Sequence, residues 1–206
     1  MSGTRRYYAF KRYERIWHWS QMVLVLVMML TGFEIHGVFT LLGFELAVTV
    51  HTTAAWALMF LWLTAIFWHI TTGEWHHYVP TTKNFVASAY YYAFGIFSGS
   101  RHPFHPTEKE KHNPVQRITY LMLGIGLMPA IWVTGLLAYY YNLWPAWLLN
   151  RMNFGLVAGI HTLLAFSLLT FLIVHIYMIT TGPRLTSQLR AMITGWEEAD
   201  GEETRG

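Results

Sequence analysis

Cysteine is absent from this chain of 206 residues. Its absence excludes disulfides, thiolate-bound zinc and cysteine-ligated iron–sulfur clusters within the chain. Charged residues are also scarce, at 12% of the sequence, whereas ordinary soluble domains contain about 25%. The formal net charge of +3 is too small to indicate a nucleic-acid partner. The chain is therefore poor in the residues that keep a protein soluble in water.

Four long apolar stretches make up nearly half of the sequence, of which 54% is hydrophobic. They cover about residues 16–33, 47–70, 118–141 and 154–181. Each is close to the roughly 20 residues that an α-helix needs to cross a bilayer. No small-residue cleavage site follows the first stretch, so we interpret it as a retained helix rather than a signal peptide. The sequence predicts an all-α integral membrane protein, with residues 1–206 forming a single domain built as a four-transmembrane-helix bundle.

Positive charges are unevenly distributed among the connections. Of the fourteen Lys and Arg residues, thirteen fall in the N-terminal arm, the loop over 71–117 and the C-terminal tail, and Arg151 falls on the opposite side. Such an excess marks the cytoplasmic side of a membrane protein. Both termini and the 71–117 loop are therefore predicted to be cytoplasmic, in a multi-pass protein of the bacterial inner membrane.

Three smaller features carry predictions of their own. Residues 84–97 have apolar side chains at helical spacing, which predicts a helix lying on the membrane surface. The acidic residues after Trp196 predict a disordered tail. Pro129 lies in the middle of the third apolar stretch, where neighbouring helices would absorb a kink.

Histidines within the apolar stretches are the strongest indication of function, because ionisable groups inside a membrane are costly. His161 and His175 are fourteen residues apart, which on a helix places them within about 40° of one face and roughly 21 Å apart along the axis. With the predicted orientation, His51 and His161 lie near the outer border of the membrane. His18 and His175 lie near the inner border.

Each of these pairs has the chemistry to bind one haem iron. Two imidazoles on opposite faces of the macrocycle give a six-coordinate b-type haem, which passes one electron without opening a site for oxygen. The simplest pairing is His51 with His161 and His18 with His175. His69 is an alternative to His18, but it leads directly into a polar segment typical of an interfacial helix end. For each histidine alone, the alternative is a hydrogen-bonded residue inside the bundle.

The remaining histidines lie in the predicted connections. We interpret most of them as solvated surface residues, since their spacing matches no metal-site template. They are His36, His76, His77, His102, His105 and His112.

Several short segments, in this order, resemble the dihaem cytochrome b subunits of respiratory formate dehydrogenases, nickel–iron hydrogenases and thiosulfate reductases. These segments are RYERIWHW (12–19), TG (31–32), His51, HNPVQRITY (112–120), TG (134–135), HTLLA (161–165), VHIYM (174–178) and AMITGW (191–196). The resemblance covers nearly the whole chain. It implies two b haems, with His18 and His175 binding the inner iron and His51 and His161 the outer one.

The resemblance also implies a quinone site, for menaquinone or ubiquinone, on the cytoplasmic side. The matching position is Asn113, with Gln116 close by. Their amide N–H groups are suitable donors to a quinone carbonyl. The alternative is that Asn113 and Pro114 simply begin the third helix.

The function expected from the resemblance is that of a membrane-anchoring subunit. It would pass electrons between an iron–sulfur subunit with its catalytic partner on the outer face and the quinone pool. The catalytic partner would be a molybdenum or tungsten enzyme or a nickel–iron hydrogenase, so the primary substrate site is not expected in this chain. Two alternatives stay open: a stand-alone electron-transfer cytochrome of the b561 type, and a haem-free membrane anchor or transporter.

Overall fold

The computed structural model describes residues 5–100, 104, 111–181 and 185–199. In this part of the chain, four helices are long and apolar enough to cross a membrane: Arg12–Ile35, Phe44–Thr72, Pro114–Tyr139 and Phe154–Ile179. In the most apolar stretch of each helix, at most 17% of the residues are buried within the protein. This is expected of helices whose side chains face lipid. The predicted helical membrane class and its four spans are confirmed.

The elements follow the chain in this order. Strand β1 (Arg5–Tyr8) is followed by α1 (Arg12–Ile35), α2 (Phe44–Thr72) and α3 (Phe85–Ala93). The third span consists of α4 (Pro114–Leu121), a π-helical segment (Met122–Leu127) and α5 (Met128–Tyr139). Then come α6 (Ala146–Leu149), α7 (Phe154–Ile179), α8 (Ser187–Thr194) and β2 (Trp196–Ala199), with 3-10 turns at Glu74–Tyr78, Gly95–Phe97 and Tyr141–Leu143.

The chain forms two compact units. The first unit comprises Met1–His76 and Gln188–Gly206, and the second His77–Ser187. In the first, α1 packs antiparallel to α2, and β1 pairs antiparallel with β2. In the second, α5 packs against α7.

Helices α1 and α2 begin earlier than the predicted spans. Helix α1 begins at Arg12 rather than near residue 16, because Glu14 accepts a 2.6 Å hydrogen bond from the Lys11 backbone N–H and so caps the first turn. Helix α2 begins directly after Gly43, whose φ of +85° suits glycine. Hydropathy detects the lipid-facing part of a helix, so the capped ends fall outside a prediction based on it.

Pro129 lies in α5, just after the π-helical segment. Proline lacks an N–H and its ring crowds the carbonyl four residues earlier, here that of Ile125. The span accommodates this locally, because the segment Met122–Leu127 widens to π-helical geometry.

The carboxyl-terminal segment packs on the start of α1 in the first unit. Arg15 donates a hydrogen bond to the carbonyl of Ile193, and Trp19 Nε1 donates one of 3.2 Å to the carbonyl of Met192. The rings of Tyr8 and Trp196 meet edge to face, 5.3 Å between centroids. These contacts link the two ends of the chain beside the helix that carries His18.

Two predictions for the connections have different outcomes. A helix does form within residues 84–97, as α3 over Phe85–Ala93. The prediction of a disordered tail after Trp196 was wrong for residues 197–199, because the backbone of β1 supplies hydrogen-bond partners for these residues. The rest of that tail lies outside the described residues.

Candidate functional site

His51 lies near the start of α2, and its ring contacts the end of α1. Its Nδ1 atom is 3.0 Å from Thr31 Oγ1. The hydroxyl of Thr31 has one hydrogen, which it donates over 2.8 Å to the carbonyl of Val27. Oγ1 is therefore the acceptor of the Nδ1–H group of His51, and the lone pair of the ring is on Nε2.

His161 has the same arrangement near the start of α7. Its Nδ1 atom lies 3.1 Å from Thr134 Oγ1 and 3.1 Å from the carbonyl of Ile131. The Thr134 hydroxyl donates its hydrogen to the carbonyl of Ala130 over 2.8 Å. Since a carbonyl only accepts, the Nδ1 atom of His161 carries the proton and Nε2 the lone pair.

A glycine follows each of these threonines and lies against the imidazole. A Cβ atom on Gly135 would be 3.0 Å from His161 Cε1, which is tighter than normal contact. On Gly32 it would be 3.6 Å from His51 Cε1. The absence of a side chain on Gly135 therefore allows the His161 ring to approach the helix backbone closely.

Both histidines fit a haem iron by their donor chemistry. Histidines that bind metals usually donate one ring N–H to a protein oxygen, which fixes the tautomer and makes the other nitrogen a better ligand. His51 and His161 both do this through Nδ1, so Nε2 is the nitrogen that would coordinate iron. His51 belongs to the first unit and His161 to the second.

His18 and His175 are half-buried. The ring of His18 meets that of Trp19 at 5.4 Å, nearly perpendicular. The ring of His175 stacks on Phe171, 5.7 Å between centroids and 20° between planes. Phe171 is one helical turn earlier on the same face of α7, so it orients this imidazole.

His69 is packed differently from His18. Its ring lies edge-on to Trp68 at 4.9 Å and to Trp17 of α1 at 6.2 Å. It therefore lies in the contact between α1 and α2. Its Nδ1 atom is 2.7 Å from the carbonyl of Ala65, so its tautomer also leaves the lone pair on Nε2. The tautomer is thus compatible with metal binding, while the packing favours a structural role.

Asn113 and Gln116 are brought together by a capping box at the start of α4. Asn113 Oδ1 accepts the Gln116 backbone N–H over 2.9 Å, and Gln116 Oε1 accepts that of Asn113 over 2.9 Å. Asn113 is only 2% exposed, and its Nδ2 donates a 2.8 Å hydrogen bond to the Tyr92 hydroxyl. Burial raises the pKa of Tyr92 to about 12. Sequence reasoning did not identify Tyr92, because α3 brings it here from 21 residues away.

Most of the connection histidines were predicted to be solvated, but two of them are buried. His77 is 5% exposed and His112 is 8% exposed. The His112 ring packs against Tyr78 at 5.1 Å and Tyr120 at 5.0 Å, which removes it from water. His36 and His76 are exposed, and His102 and His105 lie outside the described residues. Within the described ranges, no group of three His, Asp or Glu residues could hold a metal ion.

Comparison with known proteins identifies the family. A family model described as prokaryotic cytochrome b561 matches residues 9–195, most of the chain. The chain belongs to the prokaryotic cytochrome b561 family. It is a b561-type membrane cytochrome b, a multi-pass electron-transport protein of the bacterial inner membrane, and cytochromes of this family bind haem b.

A curated relative supports the same assignment. This cytochrome b561 is 30% identical over 203 residues to a protein of Escherichia coli (strain K12) described as "Putative cytochrome YdhU". The match covers 92% of this chain and 74% of the relative. No solved structure matches the chain. The predicted cytochrome b class is confirmed, and the haem-free anchor or transporter is disfavoured.

Proposed function

We propose that this cytochrome b561 is the dihaem membrane subunit of a respiratory oxidoreductase. One observation supports the proposal: two histidines near the starts of spanning helices, His51 and His161, both contact a threonine through Nδ1. This leaves the lone pair on Nε2, the nitrogen that would bind iron. Together with His18, near the start of α1, and His175, near the end of α7, they would supply four axial ligands, enough for two b haems.

The proposed ligand pairs follow from depth in the membrane. His51 and His161 would bind the outer haem iron, and His18 and His175 the inner one. Bound haem would supply a one-electron carrier at each level. The chain itself contributes the oriented imidazoles and a lipid-facing apolar surface that keeps water away from them. Both termini and the 71–117 loop would be cytoplasmic, because thirteen of fourteen Lys and Arg residues fall in these segments.

A quinone would react on the cytoplasmic side, near the start of α4. Because Asn113 is buried and its amide already bonds Tyr92, we assign it the role of positioning its neighbours. The half-buried Gln116 and the Tyr92 hydroxyl would then meet the quinone carbonyl. Tyrosine is protonated at physiological pH, and burial raises the pKa of Tyr92 further, so its hydroxyl can donate a hydrogen bond.

The outer face would receive an iron–sulfur subunit and its catalytic partner, a molybdenum or tungsten enzyme or a nickel–iron hydrogenase. Electrons would pass between that partner and menaquinone or ubiquinone. If quinone is reduced with cytoplasmic protons while the donor is oxidised outside, the cycle builds a membrane potential.

The first experiment is a reduced-minus-oxidised spectrum of the purified protein, with haem counted per chain. We expect a b-type α band and two haems per chain. No α band, or one haem per chain, would contradict the proposal.

A stand-alone cytochrome is the second candidate, favoured by the description of the matching family as a cytochrome b561. Purification in mild detergent separates the two functions. Copurification of an iron–sulfur subunit supports the respiratory complex. A pure protein that exchanges electrons without any other subunit supports the stand-alone cytochrome.

A further inference from the structure

The two units of the chain contain the same three-residue arrangement. In the first unit, Thr31 bonds His51 Nδ1 at 3.0 Å and is followed by Gly32. In the second, Thr134 bonds His161 Nδ1 at 3.1 Å and is followed by a glycine that contacts the ring. In both cases the threonine is near the end of one span and the histidine near the start of the next.

We propose that Thr31 and Thr134 are matched positioning residues that set the reduction potential of a single haem. The inference rests on the proposed function, in which His51 and His161 bind the same iron. Each hydroxyl is fixed as an acceptor, because its hydrogen is donated to a carbonyl of its own helix, that of Val27 or Ala130. Each imidazole is therefore held in one tautomer and one orientation.

The expected effect on the haem follows from the chemistry of the imidazole. An acceptor on Nδ1–H makes the ring more basic at Nε2. A more basic ligand stabilises ferric over ferrous iron, so the hydrogen bond lowers the reduction potential. Substitution by valine keeps the branched shape but removes the acceptor. Thr31→Val should therefore raise the potential of the haem bound by His51.

Substitution of Thr134 tests independently whether both threonines act on the same haem. Thr134→Val should raise the potential as well, while the carbonyl of Ile131 still accepts from His161 Nδ1 and holds the tautomer. Since both ligands are proposed to bind one iron, the two substitutions should shift the same one of the two haems. The other haem of each sample is an internal reference.

The experiment is a potentiometric titration of both haems in the purified full-length protein, with electron paramagnetic resonance of the ferric state. We expect each valine variant to change the ferrous-to-ferric ratio of one haem by about tenfold, which is about 59 mV for one electron. Thr31→Ser and Thr134→Ser keep the hydroxyl and should retain the wild-type potential. The matched control is Thr170→Val, since Thr170 donates to the carbonyl of Phe166 over 2.9 Å on an exposed face of α7.

The outcomes separate the inference from the proposed function. If the wild-type protein does not contain two b haems, the proposed function itself is contradicted. Two haems in the wild type, with both potentials unchanged in the valine variants, would overturn only the role of the threonines. Shifts on two different haems would also overturn it. If a valine variant loses haem, retention in the serine variant supports the inference, and loss there as well overturns it.

Discussion

The hydroxyl of Tyr7 donates a 2.9 Å hydrogen bond to Glu197 Oε2, joining residues 190 positions apart. The two residues are directly opposite each other in the antiparallel pair of β1 and β2. This pair joins the N-terminal arm to the carboxyl-terminal segment, beside the start of the helix that carries His18.

The pairing of the two strands should depend on pH. Burial raises the pKa of Glu197 above its ordinary value of 4.5, against the opposing effect of the Tyr7 hydrogen bond. The protonated form is thus favoured in the folded state. Its stabilising contribution is complete below about pH 4.5 and is lost as the pH rises through the raised folded pKa. The protection factors of the β1 amides, which correct for the intrinsic rise of exchange with pH, should therefore fall over that range, and Glu197→Gln should remove this fall. An unchanged profile in Glu197→Gln would contradict this origin.

Gly195→Ala should destabilise the first unit. Gly195 has a φ of +88°, and a Cβ there would lie 2.5 Å from Tyr8 Cε2 and 2.8 Å from the carbonyl oxygen of Phe10. A left-handed conformation alone costs a non-glycine residue about 1–3 kcal/mol. Gly37→Ala is the matched control, with a φ of +74° and open space around it. Thermal unfolding in detergent should show a larger loss for Gly195→Ala, and equal losses would exclude a steric contribution.

Glu34 should be essential for the connection between α1 and α2. Its buried carboxylate accepts backbone N–H bonds from Leu41, Leu42 and Gly43, at 2.7, 2.6 and 2.7 Å. Hydrogen bonds to a charged acceptor are stronger than neutral ones. We expect the melting temperature to fall in Glu34→Gln and further in Glu34→Ala. Glu45 is exposed and lies in the first turn of α2, just after this connection. Glu45→Gln should therefore have little effect. A similar fall in the melting temperature of Glu34→Gln and Glu45→Gln would indicate a general effect of charge.

Substitutions at Asn113 should separate helix capping from quinone chemistry. Asn113→Ala removes the cap of α4 and should cost about 0.5–2 kcal/mol, whereas serine is also a good N-cap residue. Asn113→Ser should therefore restore stability but not the hydrogen bond to Tyr92. If the amide positions the quinone site, quinone reduction stays impaired in Asn113→Ser while haem content is normal. Full quinone activity in that variant would show that Asn113 is only a cap.

Haem content of histidine variants should identify the ligands. We expect His18→Ala to lose the inner haem and His161→Ala the outer one, each measured as haem per chain. His69→Ala should retain both, because the His69 ring packs between α1 and α2 against Trp17. Retention of both haems in His18→Ala together with loss in His69→Ala would reverse this assignment.

The sequence by itself determined the membrane class and the number of spans. Helices that cross a bilayer can be recognised without knowing their tertiary contacts. Lipid surrounds their apolar side chains, and each helix satisfies its own backbone hydrogen bonds. The histidines within these stretches could be found for the same reason, since a polar residue stands out in an apolar helix. The sequence also showed both Thr-Gly pairs, but not what they contact.

Only the tertiary structure decided which groups meet the candidate site residues. The bond between Thr31 and His51 joins two helices, so no local pattern encodes it. The capping role of Asn113 was foreseen as an alternative, but its contact with Tyr92 depends on how α3 packs. The burial of His112 and the pairing of Glu197 with Tyr7 depend likewise on distant partners. Hydropathy is a property of each residue alone, whereas a hydrogen bond between elements exists only when the fold brings both groups together.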